Sequence, residues 1–425
     1  MLFSFPILRW ANCFVDSDAP YLSDWSEASR VREMTRRISL RPNRELPFYC
    51  HPISLFVIVW LMMLLALACR ISYDSYPEMG LPIFIFVLSF GALLAGYGII
   101  RFLFPAETEH DDVAEYALNV PRLRKLNMLF LFVAIAIMAL NLKLDGLPPA
   151  FGFFSFDTVN YLEYGRLKQL LFPLLISIAV NSSLDPSKLW KIAFSAAAFL
   201  SLVLYVTRGE ILAALLQVFF VYSLTSRVNK RRLVISALFV VAGLAIVATL
   251  VGNNRTTQSS FFAVLQIRRE FWDWPMIFLW VISYFSIPIS NLCWIVHNFH
   301  FQSATLSFLY PALPAFWTPT DPHENVMGYS HVVDGVHTYL ASYYLDLSYV
   351  GIVLINLVLG IGAACVMRRG LSRNFLTAAV FLGCLAYIFF VDNFIPLSTI
   401  LQFLIQGFAQ RYILSPGGRA HEAVV

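Results

Sequence analysis

The sequence predicts an all-α polytopic membrane protein with about ten transmembrane helices and one large outer loop. Three observations predict this fold class. Of the 425 residues, 59% are hydrophobic and only 13% are charged, whereas a soluble domain carries about a quarter charged residues. Apolar runs of membrane-spanning length, roughly 17–25 residues, recur along the chain. The sequence lacks the short alternating segments of a transmembrane β-barrel, which excludes that class.

Apolar runs mark ten predicted spans, and their positions divide the chain into five regions. The spans cover 52–72, 81–101, 126–143, 168–184, 190–207, 209–226, 233–252, 349–367, 374–393 and 396–414. The regions are a basic N-terminal segment at 1–51, a seven-span region at 52–252, a large loop at 253–348, a three-span region at 349–414 and a tail at 415–425. A loop this long is usually functional, and we expect it to contain re-entrant or interfacial helices.

The distribution of basic residues predicts which side of the membrane each loop occupies, because cytoplasmic loops are enriched in lysine and arginine. Under the ten-span scheme, 22 of the 30 lysines and arginines fall on one side. They lie in the N-terminal segment, at 101–125, 188–191, 227–232 and 368–373, and from 411 to the end of the tail. That side is predicted to be the cytoplasm, so both termini are cytoplasmic and the large loop lies outside.

One segment of the large loop leaves two interpretations open. "PMIFLWVISYFSIPISNLCWIV", residues 275–296, is apolar enough to span a membrane, but it contains two prolines, three serines and an asparagine. A crossing here would also move the basic segment at 368–373 to the outer side. We therefore prefer an interfacial or re-entrant helix that packs on protein, and an eleventh span is the alternative.

Several classes of chemistry have no signal in the sequence. None of the six cysteines forms a C-x-x-C pair, and most lie in apolar stretches, so neither a disulfide framework nor a metal site is expected. "HENVMGYSHVVDGVH" at 323–337 contains possible metal ligands, but their spacing matches no zinc motif. No cleavable signal peptide, phosphate-binding glycine loop, nucleotide signature or internal repeat is evident. We therefore expect no cofactor and no metal.

Eight basic residues fall on the outer side, against the general trend, and five of them are candidate phosphate ligands. Arg208 in "YVTRGEIL" and Arg255 in "VGNNRTTQ" are predicted near the outer membrane surface, where a lipid-linked phosphate lies. Arginine suits phosphate because its planar guanidinium can donate two parallel hydrogen bonds. A salt bridge, for example from Arg208 to Glu210, or snorkelling to lipid headgroups is the alternative. The other candidates are Arg268, Arg269 and Arg166.

The end of the large loop supplies candidates for proton transfer and for sugar contact. His337 is the first candidate base because it lies nearest the start of the eighth span, with Asp334 and Asp346 behind it. A structural role as a hydrogen-bond acceptor near the helix start suits Asp346 equally well. Aromatic rings in this stretch suit either stacking on sugar rings or an interfacial aromatic belt. These rings belong to Tyr339, Tyr343 and Tyr344.

Three stretches, taken in order, resemble motifs of one bacterial enzyme family. "TRGEILAALLQ" resembles its R-G turn that opens a span, and "VGNNRTTQ" resembles its G-x-x-R stretch after the next span. "HTYLASYYLDLSYVGIVLINLVLGIG" resembles its polar head, aromatic pair, D-x-x-x-x-G and glycine-containing span. Over 45–415 the chain is thus similar to the Wzy-type oligosaccharide repeat-unit (O-antigen) polymerases. It departs from them at Leu347-Ser348, where members often have an aromatic residue and a glycine, and in its long basic N-terminus.

The resemblance implies a reaction at the periplasmic face of the bacterial inner membrane. A glycan chain is moved from undecaprenyl pyrophosphate onto the non-reducing-end hydroxyl of another undecaprenyl-pyrophosphate-linked repeat unit, without a metal. The large loop would then be a periplasmic loop, with Arg208 and Arg255 facing the pyrophosphate and His337 near the attacking hydroxyl. The implied partners are lipid-linked oligosaccharides, membrane lipids and a chain-length regulator protein, with no nucleic acid.

Two alternative functions stay open at the level of sequence. An O-antigen ligase, or another polyprenyl-phosphosugar glycosyltransferase, would carry a similar outer loop and similar arginines. A transporter of lipid-linked glycans belongs to a different class and would have polar or Gly/Pro-interrupted spans around a midplane site. The second, third, seventh and tenth predicted spans are almost free of charge, which favours an enzyme with its polar residues outside.

Overall fold

The computed structural model shows a helical bundle with one small sheet. It describes residues 37–40, 47–104, 116–145, 148, 165–205, 208–225, 262, 265–299, 305–314, 317, 322, 338–368, 374–389 and 394–416. The helices are α1 Pro52–Ala68, α2 Gly80–Leu103, α3 Val120–Asp145, α4 Gly165–Ser182, α5 Lys188–Leu204, α6 Arg208–Thr225, α7 Met276–Asn298, α8 Ala341–Arg368, α9 Phe375–Ala386 and α10 Leu397–Ile413. The strands are β1 Arg37–Leu40, β2 Tyr116–Asn119 and β3 Leu414–Pro416. Short 3-10 helices span Phe48–Cys50, Arg269–Phe271 and Ser307–Ala312.

Nine of the ten predicted spans coincide with helices, and the predicted span at 233–252 lies outside the described residues. Four of the described helices are long and apolar enough to cross a membrane. They are Gly80–Leu103, Val120–Leu144, Met276–Asn298 and Ala341–Met367. The prediction of a mostly helical membrane protein is therefore confirmed, while the number of spans and the side of each loop stay predictions. The small sheet is an addition that the sequence did not indicate.

The sheet gathers distant segments at one end of the bundle, here called the sheet end. Strand β2 lies between β1 and β3 and is antiparallel to both, with Leu40 opposite Tyr116 and Leu118 opposite Leu414. The loop between α4 and α5 reaches the same end, because the Arg124 guanidinium donates two hydrogen bonds, at 2.8 and 2.9 Å, to the buried carboxylate of Asp185. The sheet end thus joins the N-terminal segment, the start of α3, the α4–α5 loop and the end of α10.

The opposite end, here called the turn end, is organised by the turn at 69–79 that connects α1 and α2. Ser72 pairs with Ile267 in an isolated antiparallel bridge, and the Arg268 N–H donates to the Ile71 carbonyl at 2.9 Å. Helix α7 lies against the same turn, since the Trp294 indole N–H donates to the carbonyl of Asp74 at 3.1 Å. The segment just before α7 and α7 itself are therefore fastened to one short turn.

Helices α2 and α8 pack with their backbones in close approach, which only glycine allows. A Cβ on Gly96 would lie 2.1 Å from the carbonyl oxygen of Leu357, and a Cβ on Gly360 would lie 2.0 Å from that of Leu93. Small residues that let two backbones approach are the usual device for packing helices in membranes. This crossing holds α8, which carries the C-terminal sequence motif, against the N-terminal half of the bundle.

Candidate functional site

The stretch that carries the D-x-x-x-x-G pattern forms a kinked helix at the turn end. Helix α8 begins at Ala341, eight residues before the predicted span, and is broken at Ser348, whose φ of 57° and ψ of −145° are not helical. Beyond the kink, Gly351 lies so close to the preceding turn that a Cβ on it would be 2.1 Å from the Tyr343 carbonyl oxygen. The glycine of the pattern is therefore required by a close backbone approach at the kink.

Asp346 lies just before this kink and is fully buried. Its carboxylate accepts hydrogen bonds from the Ser307 hydroxyl at 2.9 Å, from the Phe308 N–H at 2.8 Å and from the Thr305 hydroxyl. Three donors from one short segment thus converge on a single buried side chain, and these hydrogen bonds hold the 305–308 segment onto α8. Of the two roles predicted for Asp346, these contacts favour the structural acceptor.

The three candidate tyrosines of this stretch are all buried in protein. The Tyr339 hydroxyl donates to the side-chain oxygen of Asn356 at 2.6 Å, and the Tyr344 hydroxyl lies 3.3 Å from the Val296 carbonyl. The Tyr343 ring packs on the ring of Phe308 with centroids 4.9 Å apart. Their described contacts join α8 to α7 and to the 305–314 segment, and their stacking on sugar rings stays a prediction.

The R-G turn lies next to the start of the α8 stretch. Arg208 is the first residue of α6, and a Cβ on the following Gly209 would lie 3.1 Å from the Tyr387 hydroxyl oxygen. Immediately after Tyr387, the Ile388 carbonyl accepts a hydrogen bond from the Tyr339 N–H at 3.4 Å. The Tyr387 side chain and the 387–388 backbone thus connect the start of α6, where Arg208 lies, to the segment that follows His337.

Helix α7 also contacts this group of segments, through Phe285. The rings of Phe285 on α7 and Phe389 stack with centroids 4.2 Å apart, and Phe389 also contacts Tyr387 edge to face at 5.6 Å. Four parts of the chain therefore meet here: the start of α6, the 387–389 turn, the start of α8 and the middle of α7. We call this group the turn-end site.

Of the two arginines before α7, Arg268 contacts the 69–79 turn. The guanidinium carbon of Arg268 lies 5.5 Å above the Tyr73 ring, and one of its nitrogens is 3.7 Å from the Glu270 carboxylate. Arg269 is exposed at the start of the 3-10 helix. Surface ion pairs at such distances contribute little to stability. Arg268 and Arg269 thus place two positive charges just before the start of α7.

Five of the predicted site residues have no described side chain. Arg166 lies in the first turn of α4 and Arg208 begins α6, but only their backbones are described. Arg255, Asp334 and His337 lie outside the described residues. Their proposed chemistry therefore rests on the sequence. The structure describes residues next to two of them, namely Gly209 beside Arg208 and Tyr339 shortly after His337.

Comparison of the chain with protein-family models, with curated proteins and with solved structures returned no match. The resemblance to the Wzy-type polymerases therefore rests on the three sequence motifs. Within the described ranges, no group of three or more histidine, cysteine, aspartate or glutamate side chains could hold a metal ion.

Two kinds of site residue escaped the sequence reasoning. Tyr387 falls inside the predicted ninth span, where it resembles any interfacial aromatic, and only its contact with Gly209 distinguishes it. Thr305 and Ser307, which donate to Asp346, lie in a loop without periodicity. No pattern in the sequence singles out these two hydroxyl residues. Their role is recognisable only once the structure shows that they donate to the buried Asp346.

Proposed function

We propose that this chain is a membrane glycosyltransferase that polymerises lipid-linked oligosaccharide repeat units at the periplasmic face of the bacterial inner membrane. The observation that carries the proposal is the adjacency of the R-G turn and the α8 stretch, which meet across Tyr387 and Ile388. Two motifs that are 130 residues apart in sequence thereby contribute to one place at one end of the bundle. An enzyme that binds a lipid-linked phosphate at a membrane surface needs such a convergence.

The chemistry we propose is a glycosyl transfer with pyrophosphate as the leaving group. The bond between the anomeric carbon and the undecaprenyl pyrophosphate oxygen breaks, and a bond to the acceptor hydroxyl oxygen forms. Arg208 and Arg255 are the proposed cations for the charge that develops on the pyrophosphate. His337, with Asp334 as the second candidate, is the proposed acceptor of the hydroxyl proton.

Asp346 is assigned a positioning role in this proposal. Its carboxylate is buried and already accepts three hydrogen bonds from residues 305–308, so it has little capacity left to take a proton from a sugar hydroxyl. By holding that segment at the kink, Asp346 helps to set the geometry of the residues that enter α8. Tyr339, which follows His337 closely, is the first of these to be anchored, through Asn356.

The sheet end supports the proposed topology. Its three strands come from the N-terminal segment, from 101–125 and from the region around 414, and all three were predicted on the cytoplasmic side because of their basic residues. Hydrogen-bonded strands lie on one side of a membrane. Both termini are therefore proposed to be cytoplasmic, and the turn end periplasmic.

The contacts of α7 support an interfacial helix over an eleventh span. Leu279 near its start belongs to the same buried cluster as Ile71, and the Trp294 indole near its end donates to the Asp74 carbonyl, so both parts lie at the same turn. Fifteen residues of helix separate these contacts, about 22 Å at 1.5 Å per residue. A helix that crossed the bundle would have its two ends near opposite faces. We propose that α7 runs along the periplasmic end of the bundle.

A complementation experiment tests the function. A strain that lacks this chain is complemented with the wild type or with Arg208→Ala, Arg255→Ala or His337→Ala, and its surface polysaccharide is separated on gels. We expect each variant to insert normally and to leave lipid A-core capped with a single repeat unit. Lys188→Ala, at an exposed position of the sheet end, is the control and should restore long chains.

The outcomes separate the proposal from its nearest rival. Bare core in the deletion strain would indicate a ligase, because a ligase attaches the glycan to the core. Normal long chains from all three variants would refute the roles of Arg208, Arg255 and His337. Normal chains in the deletion strain itself would refute the proposed function.

A further inference from the structure

Three buried amide side chains near the sheet end have no hydrogen-bond partner among the described residues. They are Asn127 on α3, Asn181 on α4 and Gln406 on α10, and both polar atoms of each amide are unpaired. Each of the three side chains is fully buried. We call them the amide layer. The hydroxyl of Ser177, one turn before Asn181 on α4, is likewise buried and without a partner in the described part of the chain.

The register of the helices puts the three amides at one level. Asn127 comes nine residues after Leu118, and Gln406 comes eight residues before Leu414, and these two leucines are paired in the sheet. Arg124 bonds to Asp185, so Asn127 and Asn181 lie three and four residues from that contact on their own helices. Because α3, α4 and α10 pack against one another in pairs, the amides share one layer of the bundle interior.

The neighbouring glutamines of α10 provide an internal contrast. Gln402 donates directly to the side-chain oxygen of Gln217 at 2.6 Å, and the side-chain oxygen of Gln410 accepts from the Leu376 N–H at 2.9 Å. Gln406 lies one turn from each of them on the same buried face. Direct protein partners therefore exist one turn before and one turn after Gln406, whereas the described residues supply none for Gln406 itself.

The chemistry of the layer selects a neutral hydrogen-bonding molecule. Burying an amide without a partner is costly, and the cost applies here to three amides and a hydroxyl together. Arg124 and Asp185, which lie three and four residues from Asn127 and Asn181, are bonded to each other. In the part of the chain that the structure describes, this pair therefore offers no free charge to an ion in the layer. Water fits, since a buried water molecule makes about three hydrogen bonds to polar groups that would otherwise be unsatisfied.

We propose that the amide layer is a buried hydration site, where bound water molecules bridge Asn127, Asn181 and Gln406 and so connect α3, α4 and α10. The site lies at the sheet end, away from the turn-end site. It is independent of the glycosyltransferase proposal and would exist in a protein of another function.

Water-edited solid-state NMR of the full chain in liposomes tests the site directly. Side-chain amides of asparagine and glutamine are labelled with ¹⁵N, and the three signals are assigned by their loss in Asn127→Leu, Asn181→Leu and Gln406→Leu. We expect magnetisation to pass from water to all three amides at short mixing times. The Gln402 side-chain amide, assigned with Gln402→Leu, is the dry control because it donates to Gln217. No transfer to the three amides would overturn the proposal, whether or not they bond to one another.

Thermal unfolding in detergent supplies a second readout. If water bridges the amides, each single leucine variant leaves the bridging molecules and the other amides poorly satisfied, so the unfolding midpoint falls. In a cycle of Asn127→Leu and Asn181→Leu, the double variant should lose less than the sum of the single losses. A rise of the midpoint in the single variants would overturn the proposal, because it would mean that the amides are dry and unpaired.

Discussion

The backbone N–H of Phe308 lies 2.8 Å from the carboxylate of Asp346, 38 residues further along the chain. The Ser307 hydroxyl donates to the same carboxylate oxygen, Oδ2, at 2.9 Å, and the two contacts fasten a segment of a long loop to α8 just before its kink. The loop on either side of it leads towards α7 and towards the candidate residues Asp334 and His337. The stability of this anchor therefore matters to any function of the turn end.

Replacement of Asp346 should destabilise the protein. Asp346→Asn removes the charge and turns one acceptor into a donor opposite the donors of 305–308, so we expect the free energy of unfolding to fall by about 2 kcal/mol. Asp346→Ala should cost at least as much. Thermal unfolding in detergent measures both variants, with Asp273→Asn, at an exposed position of the same end, as the control. Unchanged stability together with lost activity would instead assign Asp346 to proton transfer.

At position 348, glycine should be tolerated better than alanine. Its φ of 57° and ψ of −145° belong to a region that glycine occupies without a steric penalty. Ser348→Gly and Ser348→Ala both remove the hydroxyl, but only glycine relieves the strained backbone. We expect the glycine variant to be more stable than the alanine variant by about 1 kcal/mol, measured by thermal unfolding. Equal midpoints for the two variants would show that the kink is unstrained.

Hydropathy could predict where most helices lie but not where they begin. Helix α8 starts eight residues before its apolar run because Tyr343, Tyr344 and Asp346 are buried by distant residues at the turn end. Helix α3 likewise starts at Val120, before residue 126 where the predicted span begins, because the guanidinium of Arg124 forms hydrogen bonds to Asp185. Local hydropathy assigns such residues to a loop, because the residues that bury them and stabilise the helix there are far away in the chain.

The sequence could predict the motifs of the candidate site, but not which of them meet in the folded chain. The R-G turn and the D-x-x-x-x-G pattern are local, so both could be found in the sequence. Their meeting depends on Tyr387, which contacts Gly209 from 178 positions away. Such a contact follows from the packing of α6 against α9, which no local pattern encodes.

A matched pair of glycines on α2 tests the close crossing with α8. A Cβ on Gly96 would lie 2.1 Å from the Leu357 carbonyl oxygen, whereas a Cβ on Gly98 would meet no atom within 4 Å. We expect Gly96→Ala to lower the free energy of unfolding by 2 kcal/mol or more, about the cost of an overpacked interior. Gly98→Ala should be neutral or stabilising by up to about 1 kcal/mol, because alanine is the better helix former. Similar midpoints in thermal unfolding would show that α2 and α8 are not in backbone contact.

The His51 imidazole, at the start of α1, should make stability depend on pH. Burial lowers the pKa of His51, and the nearby Arg101 lowers this pKa further. The unfolded chain, with an ordinary pKa of about 6.5, therefore binds a proton more readily than the folded chain. Stability is thus retained above about pH 6.5 and falls as the pH drops towards the lowered pKa of the folded state. Thermal midpoints between pH 7.5 and 5.5 should fall less in His51→Gln than in the wild type, and identical falls would contradict the assignment.

A rescue experiment tests the contact that joins the R-G turn to the rest of the turn-end site. A Cβ on Gly209 would lie 3.1 Å from the Tyr387 hydroxyl oxygen but 3.9 Å from the nearest ring carbon, so the hydroxyl alone creates the conflict. Gly209→Ala should therefore shift the start of α6, lower the thermal midpoint and shorten the polysaccharide chains made in the complementation assay. Tyr387→Phe removes the conflicting oxygen.

We expect the double variant, Gly209→Ala with Tyr387→Phe, to recover most of what Gly209→Ala loses, with a coupling of about 1 kcal/mol in the double-mutant cycle. Tyr387→Phe alone measures what the hydroxyl contributes in the presence of Gly209 and completes the cycle. Additive effects of the two substitutions would show that Gly209 and Tyr387 are not in contact. The adjacency of Arg208 and the start of α8 would then lose its structural basis, because the 387–388 turn is what connects them.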